Sequence, residues 1–109
     1  MANTFKLKTK ANVGVTTVGI YTAPAATTPV VIGITLSYTS GSGVNVGVGI
    51  TRAGTTEDVK LLKNAPIPQG SSLEFMAGNK IVLEETDTVT VDSDTNNSVD
   101  AALTIMEIT

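Results

Sequence analysis

A long uncharged stretch is the feature that most limits what this chain can fold into. Residues 11–51 contain no Asp, Glu, Lys or Arg, which is 41 consecutive positions in a chain of 109. A free protein surface normally carries roughly a quarter or more charged residues. The stretch must therefore lie in a core or against another protein, and a chain of this length cannot bury all of it alone. The sequence predicts a protein that contacts other subunits.

The same stretch does not resemble a membrane-spanning helix. Such a helix needs about 20 mostly apolar residues in succession, and here Pro24, Pro29 and repeated Gly and Thr interrupt the apolar residues. The N-terminal residues also lack the apolar segment of a secretory signal peptide. We therefore expect no membrane contact and synthesis in a cytoplasm.

The composition argues against an enzyme. The chain contains no Cys and no His, so disulfides, thiolate metal sites and histidine-based nucleophile activation are excluded. The glycine pairs Gly41/Gly43 and Gly47/Gly49 are not followed by the Lys-Ser/Thr of a phosphate-binding loop. We expect no catalytic residues and no cofactor.

Alternation with a period of two predicts the fold class. Thr, Val, Gly and Ile dominate, and β-branched side chains suit a pleated sheet. Strands are predicted at 5–13, 18–21, 30–38, 44–51, 58–62, 72–76, 80–83, 88–92 and 99–108. Turn signals separate them, including 65–70 and 85–87. This spacing predicts an all-β chain, namely an antiparallel β-sandwich or jelly-roll-like domain of about eight short strands that spans residues 1–109.

Two of the central strands are predicted to bury one row each. The first row is Val30, Ile32, Ile34, Leu36 and Tyr38; the second is Val44, Val46, Val48 and Ile50. The opposite rows are small and neutral, comprising Gly33, Thr35, Ser37, Asn45, Gly47, Gly49 and Thr51. Glycine in a strand marks either a bulge or the close approach of another backbone. We expect these small residues to lie at or beside a subunit interface.

Three lysines alternate along the N-terminal strand. Lys6, Lys8 and Lys10 share one face of residues 1–13, and Phe5 lies beside them on the other face. Lysines on an edge strand discourage edge-to-edge aggregation. The same segment could instead act as an arm that adds to a neighbouring subunit. Nucleic-acid binding is disfavoured, because aromatic residues that would stack on bases are scarce.

Acidic residues form two further candidate groups. Oxygen ligands at Asp92, Asp94, Asn96 and Asp100 resemble the start of a calcium loop, but Leu103 replaces the bidentate Glu of that loop. We therefore expect a solvated hairpin loop there. The carboxylates of Glu84, Glu85 and Asp87 could serve acid–base chemistry, yet they fall in a predicted turn, where such residues bond to nearby backbone.

The charges are divided unequally between the two halves of the chain. Residues 1–63 carry six basic and two acidic residues, for a net charge of +4, whereas residues 64–109 carry one basic and eight acidic residues, for a net charge of −7. Opposite charges can attract within one domain, or they can favour head-to-tail contact between copies.

Several turn and strand segments resemble small virion structural proteins of tailed bacteriophages, especially those of marine cyanobacterial phages. The resembling segments are Ile20–Ala25, Leu62–Leu73, Lys80–Glu84, Asp87–Val91 and Leu103–Ile108. Thr86 departs from the pattern, because such proteins often place Gly before the Asp that opens the next strand.

The resemblance implies a β-sandwich in a phage particle, made in the host cytoplasm. We expect a capsid decoration (cement) protein that stabilises the head shell through homo-oligomeric contacts, for example as a trimer. Its partners would be other copies of itself, the major capsid protein or other virion proteins. A tail, neck or fibre protein is the first alternative, and a glycan-binding module is the second. The expected interface residues are Phe5, Lys6, Lys8, Lys10, Gly33, Thr35, Asn45, Gly47, Gly49 and Thr51.

Overall fold

The computed structural model describes residues 3–38, 44–52, 57–67, 72–74, 80–95 and 98–109. All of its regular elements are β-strands. They are β1 (Asn3–Val13), β2 (Val18–Thr22), β3 (Thr28–Tyr38), β4 (Val44–Arg52), β5 (Glu57–Ile67), β6 (Ser72–Glu74), β7 (Ile81–Val82), β8 (Asp87–Ser93) and β9 (Val99–Ile108). The all-β prediction is confirmed.

The strands form two antiparallel sheets that pack face to face. The five-stranded sheet has the order β1-β9-β3-β6, with β7 also paired to β3, and the four-stranded sheet has the order β2-β8-β4-β5. Since β6 and β7 share one position beside β3, the sandwich has eight strand positions. This order is that of a jelly roll, in which two interleaved Greek keys bury one face of each sheet.

The core lies between the inner faces of the two sheets. Its largest fully buried side chains come mainly from β3, β4, β8 and β9, and include Ile34, Leu36, Leu103, Ile105, Val46, Val48, Val89 and Val91. The predicted inward row of β4 is confirmed at Val46, Val48 and Ile50, which are all buried. Each buried aliphatic side chain contributes roughly 1.5–3 kcal/mol through removal from water.

A bulge changes which side of β3 enters the core. The register of β3 against β9 shifts between Val31 and Gly33, so Ile32 is the inserted residue. Val31 is 1% exposed, whereas Val30 and Ile32 are only partly buried. The prediction that Val30 and Ile32 continue the core row of Ile34 is therefore wrong, because a bulge reverses the alternation on one side of it.

Strand β5 is longer than predicted. It continues through Ala65, Pro66 and Ile67, which the sequence had placed in a turn, and Pro66 pairs with Asn45. A proline is tolerated there because β5 is an edge strand, and one side of an edge strand needs no hydrogen-bond donor. Strands β1, β3 and β5 each have 11 residues.

The turn between β7 and β8 has the geometry that favours glycine. The Asp87 amide donates to the Glu84 carbonyl at 3.1 Å, and Thr86 has a φ of 70°. A positive φ at the third of four residues defines a type II turn, whose preferred occupant there is Gly. The predicted turn is confirmed, and Thr86 occupies a left-handed conformation that a β-branched residue adopts at a cost.

None of the residues described forms a helix long and apolar enough to cross a membrane.

Candidate assembly surface

The outward side of the five-stranded sheet is almost free of charge. The registers of β1, β9 and β3 align their outward positions into rows across the sheet. We call this surface the neutral face; it comprises Asn3, Phe5, Leu7, Thr9, Thr28, Val30, Gly33, Thr35, Ser37, Asp100, Ala102, Thr104, Met106 and Ile108, together with Ser72 and Glu74 of β6 and Val82 of β7. Asp100 and Glu74 are the only charged residues among these. Where one face of an antiparallel sheet is in water, the residues on that face are normally polar or charged, and they alternate along each strand with the core residues.

An apolar row crosses the neutral face near one end. Phe5 pairs with Met106, Met106 with Val30, and Val30 with Val82, so one continuous row spans four strands. Phe5 is 69% exposed, Val82 is 61% exposed, and the neighbouring Leu7 is 65% exposed. Large apolar side chains grouped in this way mark contact surfaces more often than isolated ones do.

The three lysines of β1 lie on the opposite side of the strand. Lys6, Lys8 and Lys10 pair with Ile105, Leu103 and Ala101, which are core residues. This register places the three lysines on one side of the strand. That face is the inner one, at the edge of the sandwich.

A second bulge explains this arrangement. Between Lys10 and Val13 the register of β1 shifts, so Ala11 and Asn12 together oppose Asp100. Asn12 has a φ of 57°, and its amide donates to Asp100 Oδ1 at 3.0 Å. Val13 is consequently buried, while Phe5 and Leu7, which share its parity in the sequence, point outward.

Lys6 takes part in a cluster that ties the two sheets together. Its Nζ lies 2.9 Å from Glu107 Oε1, and the Tyr21 hydroxyl donates to Glu107 Oε2 at 2.5 Å. The Glu107 side chain is only 8% exposed. The hydrogen bond from Tyr21 and the contact with Lys6 lower the pKa of Glu107, whereas burial and the same carboxylate raise the pKa of Tyr21. Sequence reasoning missed this cluster, because its members are distant along the chain.

The N-terminal strand is an integral part of the sheet. It pairs with β9 from Asn3 opposite Ile108 to Val13 opposite Val99. Inward-pointing charges on an edge strand are one of the devices that prevent another strand from adding there. This placement favours the edge-protection interpretation of the lysines over that of a detached arm, and both remain predictions.

The glycines of β4 lie on the outer side of the four-stranded sheet. A Cβ at Gly47 would come within 2.5 Å of Asp92 Oδ1, and one at Gly49 within 2.7 Å of the Val59 carbonyl oxygen. The β4–β5 register shifts on both sides of Val48. The close approach is therefore by the chain's own groups, at a bulge. Asn45 and Thr51 of the same row are exposed.

The predicted interface residues thus fall on three surfaces. Phe5, Gly33 and Thr35 lie on the neutral face, and the lysines lie on the inner side of β1. The β4 residues lie on the far sheet, across the core.

The calcium-loop residues bind separate segments of their own chain. Asp92 Oδ2 accepts from Thr17 Oγ1 at 3.1 Å, and Asp94 Oδ1 accepts from the Asn45 amide at 3.1 Å. Asp100 binds the bulge in β1, and Asn96 lies outside the described residues. Across the part of the chain that is described, no three such ligands cluster in a way that could hold a metal ion.

The second acidic group stabilises loops. Arg52 contacts Glu84, and its Nε donates to Asp87 Oδ1 at 3.2 Å. Asp87 Oδ2 accepts from the Glu84 amide at 2.9 Å, and Glu85 Oε1 accepts from the Ala26 amide at 2.7 Å. Asp87 and Glu84 raise the pKa of Arg52. Each carboxylate thus holds a backbone or a guanidinium in place.

The fold and this surface define an all-β jelly-roll domain with one sheet face that carries few charges. A similar solved structure is that of Bacillus endospore appendages, described as a novel family of disulfide-linked pili. It matches 99% of this chain and 87% of its own, with 17% sequence identity and a TM-score of 0.57. No protein-family model and no curated protein matches the chain. At this identity the likeness concerns the fold alone.

Proposed function

We propose that this chain is a structural subunit that works in many copies within an ordered particle, as a virion protein of the capsid decoration kind. The observation that carries the proposal is the neutral face, with Phe5, Leu7 and Val82 each more than half exposed. A protein that works as an isolated monomer gains nothing from such a surface, and burial of it against a partner would be favourable.

The side chains outside the core also support a structural role. The acidic residues that could have formed a metal or catalytic site serve instead as hydrogen-bond acceptors for the chain's own loops. The virion assignment within this class depends on the resemblance of the turn and strand segments to phage structural proteins. Head, tail, neck and fibre proteins all remain candidates on that basis.

A filament subunit is the second candidate, and the likeness to a pilus protein favours it. Head-to-tail contacts between identical subunits generate an open filament wherever the rotation between them does not close into a ring. The disulfide links named for those pili are not available to this chain, because it contains no Cys. A filament of this chain would depend on non-covalent contacts.

The proposal is tested by measuring where the protein is found and in how many copies. Quantitative mass spectrometry of purified phage particles should find the chain in proportion to the major capsid protein. A copy number set by tail symmetry would move the assignment to the tail, and absence from particles would reject the virion proposal. Electron microscopy of the purified chain alone should then show whether it forms filaments.

A matched pair of variants tests the surface itself. F5K places a charge on the neutral face, and T51K places the same charge at an exposed position on the other sheet. We expect F5K to reduce incorporation into particles by about tenfold or more, equivalent to about 1.4 kcal/mol, and T51K to have little effect. Equal incorporation of the two variants would contradict a role for this face.

A further inference from the structure

We infer that the neutral face packs against the same face of a second copy, with a two-fold axis that runs along the strands between β9 and β3. This inference rests on the proposed structural role and adds the identity of the partner. A second copy is inferred as the partner from the order of the strands and from the residues in each row of the sheet.

The strand order makes the face self-complementary. A two-fold axis parallel to the strands keeps each residue at its own row and exchanges the two sides of the sheet. In the order β1-β9-β3, with β6 and β7 both paired to the far side of β3, strand β9 then lies over β3 of the partner copy, and β1 lies over β6 and β7. Phe5 therefore meets the partner's Val82, and Met106 meets the partner's Val30.

The chemistry of the rows agrees with this axis. The apolar row meets itself at one end of the face. At the other end, Asp100 meets the partner's Ser37, whose hydroxyl can donate to a carboxylate. A two-fold axis perpendicular to the strands would instead place Asp100 toward the apolar row and remove its charge from water, at a cost.

The two Asp100 carboxylates stay apart in this arrangement. Packed sheets are about 10 Å apart, and neighbouring strands about 4.8 Å. Since β9 lies over β3 and not over itself, the two β9 strands are offset sideways as well as separated by the sheet spacing. Asp100 therefore has a neutral partner and no like charge opposite it. Glu74, in the row of Thr9 and Thr35, lies over the partner's Thr9, whose hydroxyl can likewise donate to a carboxylate.

The area of the neutral face sets the expected strength of association between two copies. Three strands of about ten residues and the short β6 and β7 together cover a sheet area of roughly 550 Å², from the rise per residue and the strand spacing. A standard stable interface buries about 800 Å² on each partner. We therefore expect association that is weak in solution and rises with protein concentration, as suits a contact used repeatedly within a larger particle.

The absence of Cys permits a direct test by cross-linking. Two single variants, F5C and V82C, change exposed side chains and are mixed with a bismaleimide that spans about 10 Å, at protein concentrations up to about 1 mM. The mixture should give a covalent dimer in several times the yield of either variant alone, because the two-fold axis places position 5 opposite position 82 of the partner.

The matched control uses the other sheet. T22C and D58C occupy one row of the four-stranded sheet at the same separation of three strands, and both positions are exposed. Their mixture should give little dimer. A yield for F5C with V82C no higher than this background, or a higher yield for F5C alone, would overturn the inference.

Failure of this inference is distinguishable from failure of the proposed function. If F5K lowers particle incorporation while F5C and V82C do not cross-link, the neutral face contacts another virion protein, and only the second-copy inference is rejected. If cross-linking occurs but particles lack the chain, the self-contact stands and the virion assignment is rejected.

Discussion

Tyr21 donates a hydrogen bond to Glu107 at 2.5 Å and thereby joins β2 of one sheet to β9 of the other. The two residues are 86 positions apart in the sequence. Lys6 completes the cluster from β1. A hydrogen bond between a phenol and a nearly buried carboxylate closes one side of the sandwich, where the sheets' edge strands meet.

Replacement of Tyr21 by Phe should test the strength of this link. We expect Y21F to lower the free energy of unfolding by about 1.5–3 kcal/mol, because the carboxylate loses a donor and remains buried. Urea denaturation would measure the loss. In a double-mutant cycle with E107Q, a coupling energy near zero would show that the two groups act independently.

The pKa of Glu107 predicts a dependence of stability on acid. Its pKa is lowered, first by the bond from Tyr21 and then by Lys6, so the folded state holds the ionised form more strongly than the unfolded state does. This contribution is present above the unfolded pKa of about 4.3 and is lost as the pH falls through the folded value. As the pH is lowered below about 4.3, the midpoint urea concentration of the wild type should decrease, and that of E107Q should decrease less.

The pKa of Tyr21 predicts the opposite dependence in alkali. Its pKa is raised, mainly by burial and then by the hydrogen bond to Glu107. The folded state therefore retains the phenolic proton, and the contribution is complete below the unfolded pKa of about 10 and is lost as the pH rises above it. Stability of the wild type should decline above about pH 10 more steeply than that of Y21F. Parallel curves would contradict the assignment.

The left-handed turn residue offers a stabilising substitution. Thr86 has a φ of 70°, and relief of its strain by T86G should exceed the entropy that glycine adds to the unfolded chain. We expect a gain of about 0.5–1 kcal/mol in thermal or urea unfolding. The matched control is T104G, at an exposed position within β9, which should lose about the same amount. A loss in both variants would show that Thr86 is not strained.

Three glycines should respond differently to alanine. In G49A the new Cβ meets the Val59 carbonyl oxygen, which is backbone and cannot move aside cheaply, so we expect a loss of about 1–3 kcal/mol. In G47A the close atom belongs to the Asp92 side chain, which can rotate, so the loss should be smaller. Nothing lies within 4 Å of a Cβ at Gly33, so G33A should be neutral or slightly stabilising. Urea midpoints that rank otherwise would contradict the bulge geometry.

The sequence predicted the positions of the strands well, but it predicted poorly which side of β1 and β3 is buried. Alternation located every strand, because β-branched runs and turn residues are local signals. The bulges at Asn12 and Ile32 each insert one residue, and this leaves composition and spacing nearly unchanged while it reverses the side that the strand buries. The neutral face was therefore predicted only in part, through Phe5, Gly33, Thr35 and Ser37.

The remaining part of the surface could be found only in three dimensions. Val82 and Met106 join the apolar row through pairings with Val30, and no local pattern in the sequence indicates those pairings. The contact between Tyr21 and Glu107 likewise depends on the order of strands in the two sheets. Such long-range pairings follow from topology, which residue types alone do not determine.

The inward lysines of β1 should protect its free edge. A strand added to β1 would enclose the Lys8 and Lys10 side chains and remove their charges from water, which is costly. The variant K8T/K10T keeps the strand length and β-propensity but lacks both charges, so we expect faster concentration-dependent aggregation, measured by light scattering and thioflavin T fluorescence. The control K60T/K63T removes the same charge from β5, which also carries Pro66 as an edge blocker, and should aggregate more slowly. Equal aggregation of the two variants would show that net charge alone, and not the position of the lysines, keeps the chain apart.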